Sequence, residues 1–123
     1  MPTLLVVEDD KHQRLLYEQE LTEEGYRVLL AENAEQAMAT LERSAEEIDL
    51  VVMDISMPGM DGIEALGRIL SKSNKLPVIL NTAYANYKDN FMTWSADAYV
   101  VKSSDLTELK EQIRETLDRR RQT

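Results

Sequence analysis

The stretch Thr3-Leu4-Leu5-Val6-Val7-Glu8-Asp9-Asp10 decides the fold. From Leu4 to Val7 no polar side chain interrupts the apolar run. A strand with one wet face alternates apolar and polar residues. An unbroken run marks a strand buried on both faces, as in a parallel sheet covered by helices on either side. The acids Glu8, Asp9 and Asp10 then end the run abruptly.

Four more strand candidates follow: Tyr26 to Leu30, Leu50 to Met53, Val78 to Asn81 and Ala98 to Val101. Helical patterns separate them. Asp10 to Glu24 reads as a helix with Leu16, Tyr17 and Leu21 on its inner side, stopped by Gly25. Asn33 is placed to cap a helix carrying Ala34, Ala37, Met38, Leu41 and Ala45 at helical spacing. Ser56 to Gly62 is loop chemistry, and a helix with Ile63, Leu66 and Leu70 comes after it. Ala85 to Ser95 is a fourth helix, resting on Tyr87, Phe91 and Trp94. Asp105 with Glu108 predicts a capping box for the last helix, whose inner face is Leu106, Leu109, Ile113 and Leu117. Five strand–helix alternations imply one α/β domain over residues 1–123, a doubly wound five-stranded parallel sheet with helices on both faces.

Composition agrees with one soluble domain. Of 123 residues, 43% are hydrophobic and 30% charged, enough for one core and too apolar for disorder. The absence of cysteine excludes disulfides and thiolate metal sites. A net charge of −9 disfavours direct nucleic-acid or anionic-membrane binding. There is no signal-peptide pattern and no apolar run of membrane-spanning length, so a cytoplasmic protein is expected.

In doubly wound folds, ligands bind beyond the carboxyl ends of the strands. Those ends carry Glu8 and Asp9, Asp54, Thr82 and Lys102. Crowded carboxylates repel, and a divalent cation resolves the conflict. Oxygen-only ligands point to a hard ion, with Mg²⁺ the leading candidate. Thr82 offers a hydroxyl donor and Lys102 a positive charge, which suit a transferring phosphoryl group. A carboxylate can itself be the nucleophile.

With these residues in view, the whole chain resembles the receiver domain of two-component response regulators. The resemblance rests on Leu5-Val6-Val7-Glu8-Asp9-Asp10, Asp54-Ile55-Ser56-Met57-Pro58-Gly59-Met60-Asp61-Gly62, Asn81-Thr82-Ala83 and Tyr99-Val100-Val101-Lys102, in that order. It implies a flavodoxin-like fold with strand order 2-1-3-4-5. It implies that Asp54 accepts a phosphoryl group from a histidine kinase or histidine phosphotransfer protein. Mg²⁺ would be held by Asp9, Asp54, Glu8 directly or through water, and the backbone carbonyl of Ser56. Lys102 would pair with the phosphoryl group, Thr82 would move to hydrogen-bond it, and Tyr99 would be the switch aromatic. Ser56 and Tyr84 would tune the lifetime of the phosphorylated state. Downstream, the resemblance implies a protein target, a phosphorelay or a separate output domain, acting as a monomer or a phosphorylation-dependent dimer. The chain acts on its own carboxylate and is not expected to be an enzyme for other substrates.

Two departures stand out. Ser103 follows Lys102 where the family has proline, and a cis bond before a non-proline costs about 3 kcal/mol, so cis geometry is not expected there. The interval from Thr82 to Lys102 is short, which predicts a short or shifted fourth helix.

Some of these residues admit plainer readings. The acidic cluster alone also fits a solvated helix start, and Tyr99 alone fits core packing. His12 reads as an ordinary side chain near the helix start, Met57 and Met60 as loop packing, and Arg119-Arg120-Arg121 as a solvated helix end. The two-glycine spacing of Gly62 to Gly67 lacks the Lys-Ser/Thr of a phosphate-binding loop. A magnesium-dependent phosphohydrolase would place Asp-x-Asp-x-Thr after the first strand, a pattern absent here. A phosphorylation-independent binding module is the third reading, and the intact set of acids, Thr82 and Lys102 opposes it.

Overall fold

The computed structural model describes residues 1–44, 46–54, 67–68, 76–83, 96–103 and 105–121. Five strands form one parallel sheet: β1 (Thr3–Val7), β2 (Arg27–Ala31), β3 (Leu50–Met53), β4 (Val78–Thr82) and β5 (Ala98–Val101). Their order is β2-β1-β3-β4-β5, as expected. The helices defined among the described residues are α1 (Lys11–Glu23), α2 (Ala34–Ser44) and α3 (Thr107–Arg121). Gly67 and Arg68 are also helical, while the rest of the two helices expected over 63–70 and 85–95 lies outside the described residues.

Strand alternation explains the unbroken apolar runs. Leu4, Val6, Leu50, Val52, Ile79 and Val100 point to one face, against Tyr17 and Leu21 of α1 and Leu109 and Ile113 of α3. Leu5, Val7, Val51, Met53, Val78 and Leu80 point to the other, against Ala34, Ala37 and Leu41 of α2. Both faces are therefore covered, and no strand position in β1, β3 or β4 is free to be polar without a partner.

Helix ends follow local chemistry. Asp10 caps α1 by accepting from the Gln13 amide at 3.0 Å. At the other end the Gly25 amide bonds the Thr22 carbonyl and the Tyr26 amide bonds that of Leu21. This paired closure needs a left-handed residue, and Gly25 supplies it at φ 97°. Asn33 caps α2 through the Gln36 amide at 2.8 Å.

Several expectations need correction. Leu16 does not join Tyr17 and Leu21; it is exposed, as is Leu15. Tyr17 and Leu21 lie four apart and define the inner stripe, which leaves Leu16 one helical step outside it. The capping box at Asp105 and Glu108 is not formed. Asp105 instead accepts from the amide of Thr107 at 2.9 Å and from its hydroxyl at 2.6 Å, a tight turn that precedes the helix. β2 begins at Arg27 rather than Tyr26, and β4 extends through Thr82. No cis peptide bond occurs among the described residues, Lys102-Ser103 included.

Candidate functional site

Alternation within the strands carries directly into the site. Glu8, Asp54 and Lys102 stand two residues beyond Val6, Val52 and Val100, which share one face of the sheet. Backbone bonds at the sheet edge hold the three in line. The Glu8 amide bonds the Ala31 carbonyl at 3.0 Å, that of Asp54 bonds Val7 at 3.1 Å, and that of Lys102 bonds Thr82 at 2.7 Å.

The side chains then converge. Lys102 Nζ lies 2.8 Å from Asp54 Oδ2 and 2.5 Å from Glu8 Oε1. Glu8 is 2% exposed and Asp54 6%, whereas Asp9 is exposed. Carboxylate oxygens of Glu8, Asp9 and Asp54 all come within 4.8 Å of one another. Three carboxylates against one ammonium leave a local excess of negative charge. Burial pushes the Glu8 carboxyl above its ordinary range, and the hydrogen bond from Lys102 only partly offsets this. Burial pulls the Lys102 ammonium down, but its hydrogen bonds to Asp54 and Glu8 outweigh that and hold it well above its ordinary value. Lys102 is therefore charged throughout the physiological range.

The donor set is oxygen only and partly buried. It fits a small hard cation such as Mg²⁺, which takes one or two carboxylates and completes its shell with water and phosphate oxygens.

Thr82 is fully buried at the end of β4, on the face opposite Lys102 and two residues beyond Leu80. Tyr99 packs on that same face and pairs in register with Leu80. Thr82 and Tyr99 thus stand on neighbouring strands of one face, offset by two residues. Ser56 and Tyr84 lie outside the described residues. His12 is exposed in the first turn of α1, among none of these groups.

Two polar contacts near the site escaped the sequence reading. Asn81 Nδ2 donates to Tyr17 Oη at 2.9 Å beneath the acidic cluster, and Arg14 donates to the Glu8 and Asp9 carbonyls. Asn81 did signal itself as a polar residue inside a buried run. Arg14 gave no signal, because an arginine in the first turns of a charged helix reads as solvent-facing.

Residues 4–114 match the family model of the response regulator receiver domain. The chain belongs to that family. Receivers are the signalling domains of two-component systems, and their fold is the one described above. Among curated relatives, this receiver is 38% identical to the transcriptional regulatory protein AfsQ1 of Streptomyces coelicolor over 97% of its own length and 52% of the relative's. The chain spans about half the length of that relative. Among solved structures it matches the response regulator TrrA of Thermotoga maritima in complex with Mg²⁺-BeF, with 43% identity, a TM-score of 0.89 and coverage of 94% of this chain and 98% of that one. TrrA in complex with the histidine kinase ThkA matches with 43% identity, a TM-score of 0.85 and coverage of 94% and 97%. Among the described residues, no helix of this receiver is long and apolar enough to cross a membrane.

Proposed function

We propose that Asp54 is the phosphoryl acceptor of a magnesium-dependent switch. The observation that carries this reading is the bridge of Lys102 between Asp54 and Glu8, with Asp9 beside them, at the carboxyl ends of β1, β3 and β5. Glu8, Asp9 and Asp54 would hold Mg²⁺. When bound, the ion supplies charge neutralisation for the phosphoryl oxygens and relieves the repulsion among the carboxylates.

The protein's own groups do the rest. A carboxylate oxygen of Asp54 attacks phosphorus, a new O–P bond forms, and the bond from phosphorus to the donor's imidazole nitrogen breaks with its electron pair returning to nitrogen. Lys102 remains charged and can follow the new phosphoryl oxygens without a proton transfer. The Thr82 hydroxyl is the switch donor. Its shift toward the phosphoryl group would vacate space on the face where Tyr99 packs, and the Tyr99 ring would follow. The equilibrium moves only as far as these contacts favour the phosphorylated arrangement.

A histidine kinase or phosphotransfer protein is the proposed donor, by analogy with the complex of TrrA with ThkA. The chain would act as one domain on its own carboxylate, and would signal through a protein target. The single sheet drawn from residues 3 to 101 supports one domain. Ser56 would add its backbone carbonyl to the metal, and Ser56 and Tyr84 would set the lifetime of the acyl phosphate.

Incubation with acetyl phosphate and Mg²⁺, followed by intact mass, tests the proposal. Wild type should gain one phosphoryl group and Asp54→Ala none. Equal labelling of both, or sustained turnover of small phosphate esters, would overturn it.

A further inference from the structure

Arg14 reaches back from the start of α1 over the connection it has just left. Its Nη1 donates to the carbonyl oxygens of both Glu8 and Asp9, each at 2.9 Å, and its Nη2 lies 3.4 Å from Glu32 Oε1 just after β2. The Arg14 side chain is 12% exposed, so it is packed over the turn, whereas Glu32 is 60% exposed and its pairing with Arg14 lies at the surface.

The geometry is informative because the two carbonyls are consecutive. In an extended strand, successive carbonyls point in opposite directions. One nitrogen can serve both only where the backbone turns between them, and the chain does bend at Asp9. The Arg14 guanidinium therefore holds the turn that aims two carboxylates at Asp54. Glu8 has other restraints: Lys102 on one oxygen and the Asp10 amide at 3.2 Å on the other. Asp9 is exposed, and its carbonyl is tied to Arg14. The effect should fall chiefly on Asp9.

We infer that Arg14 is a positioning residue for divalent-cation binding, acting through the backbone of Glu8 and Asp9. The inference rests on the metal site proposed above. A lysine would keep the charge, but its ammonium ends one bond short of the Nη1 position on a flexible stem and has no second nitrogen for Glu32, so it does not hold the two carbonyls in the same way. That difference separates positioning from electrostatics. If Arg14 acted only as a nearby positive charge, its removal would tighten Mg²⁺ binding and a lysine would leave it unchanged. If it positions the ligands, both changes weaken binding.

The test is calorimetric titration of the whole chain with Mg²⁺, using wild type, Arg14→Lys and Arg14→Gln, at a temperature where circular dichroism shows each folded. The expected result is a Kd raised about tenfold in both variants, the lower end of the range for groups that orient metal ligands. An unchanged Kd in Arg14→Lys, or a tighter one in Arg14→Gln, would overturn the inference while leaving the metal site standing. If Arg14→Gln does not fold, Arg14→Lys decides alone. A wild type that takes up no Mg²⁺ would overturn the metal site and this inference with it.

Discussion

Asn81 and Tyr17 share a buried hydrogen bond of 2.9 Å that joins the end of β4 to the middle of α1. Asn81 stands on the same sheet face as Glu8, Asp54 and Lys102, one residue before Thr82. The bond is thus part of the floor of the site.

Tyr17→Phe removes only the oxygen and leaves the Asn81 amide without that acceptor in the core. The expected cost is about 1–3 kcal/mol. Asn81→Leu on its own strands the phenol. The double change should cost less than the sum of the two, with a coupling of at least about 0.5 kcal/mol in a cycle measured by urea unfolding. Strict additivity would mean that the two groups do not depend on each other.

Lys102 is the cation between two buried carboxylates. Lys102→Met keeps much of the side-chain length and removes the charge. Phosphorylation by acetyl phosphate should slow by about 100-fold or more, the scale for removing one group that stabilises charge in a transition state. Mg²⁺ should also raise the melting temperature of the variant more than that of wild type, because more of the neutralisation of the carboxylates would then fall to the ion. A wild-type labelling rate in the variant would remove Lys102 from the chemistry.

Gly25 closes α1 at φ 97°, yet a Cβ built there meets nothing within 4 Å. Any cost of substitution is therefore a backbone cost. Gly25→Ala should lose about 1–2 kcal/mol and Gly25→Asn less, since asparagine tolerates the left-handed region better. Denaturant midpoints of the two variants give the comparison, and equal losses would point to a cause other than φ.

Asp105 carries a pKa below its ordinary value, because the hydroxyl and then the amide of Thr107 donate to it. A depressed carboxylate pKa stabilises the fold above the unfolded value, and that contribution is lost as pH falls through the folded value. The unfolded value is about 3.9. The melting-temperature gap between wild type and Asp105→Ala should therefore be full at neutral pH and shrink below about pH 4. A gap that stays constant to low pH would show that the charge is irrelevant to the turn.

Much of the molecule was legible in one dimension. Leu4 to Val7, Leu50 to Met53 and Val78 to Leu80 announced buried parallel strands, because a strand covered on both faces stays apolar at successive positions. Gly25 announced the end of α1, because the conformation it adopts there is one that other residues resist. The candidate site was named from the residues that follow those strands, with the family resemblance supplying their roles.

Tertiary structure decided which groups meet. Lys102 and Asp54 are 48 residues apart in the chain, and Asn81 and Tyr17 are 64 apart. Periodicity reports which face a residue occupies, but the partner across a gap is chosen by the packing of whole elements. That is why nothing in the sequence paired Arg14 of α1 with the Glu8 and Asp9 carbonyls, to which its guanidinium donates. Local chemistry was enough to build the strands and stop the helices. Only the assembled sheet, by bringing its carboxyl ends into one line, placed one ammonium between Glu8 and Asp54.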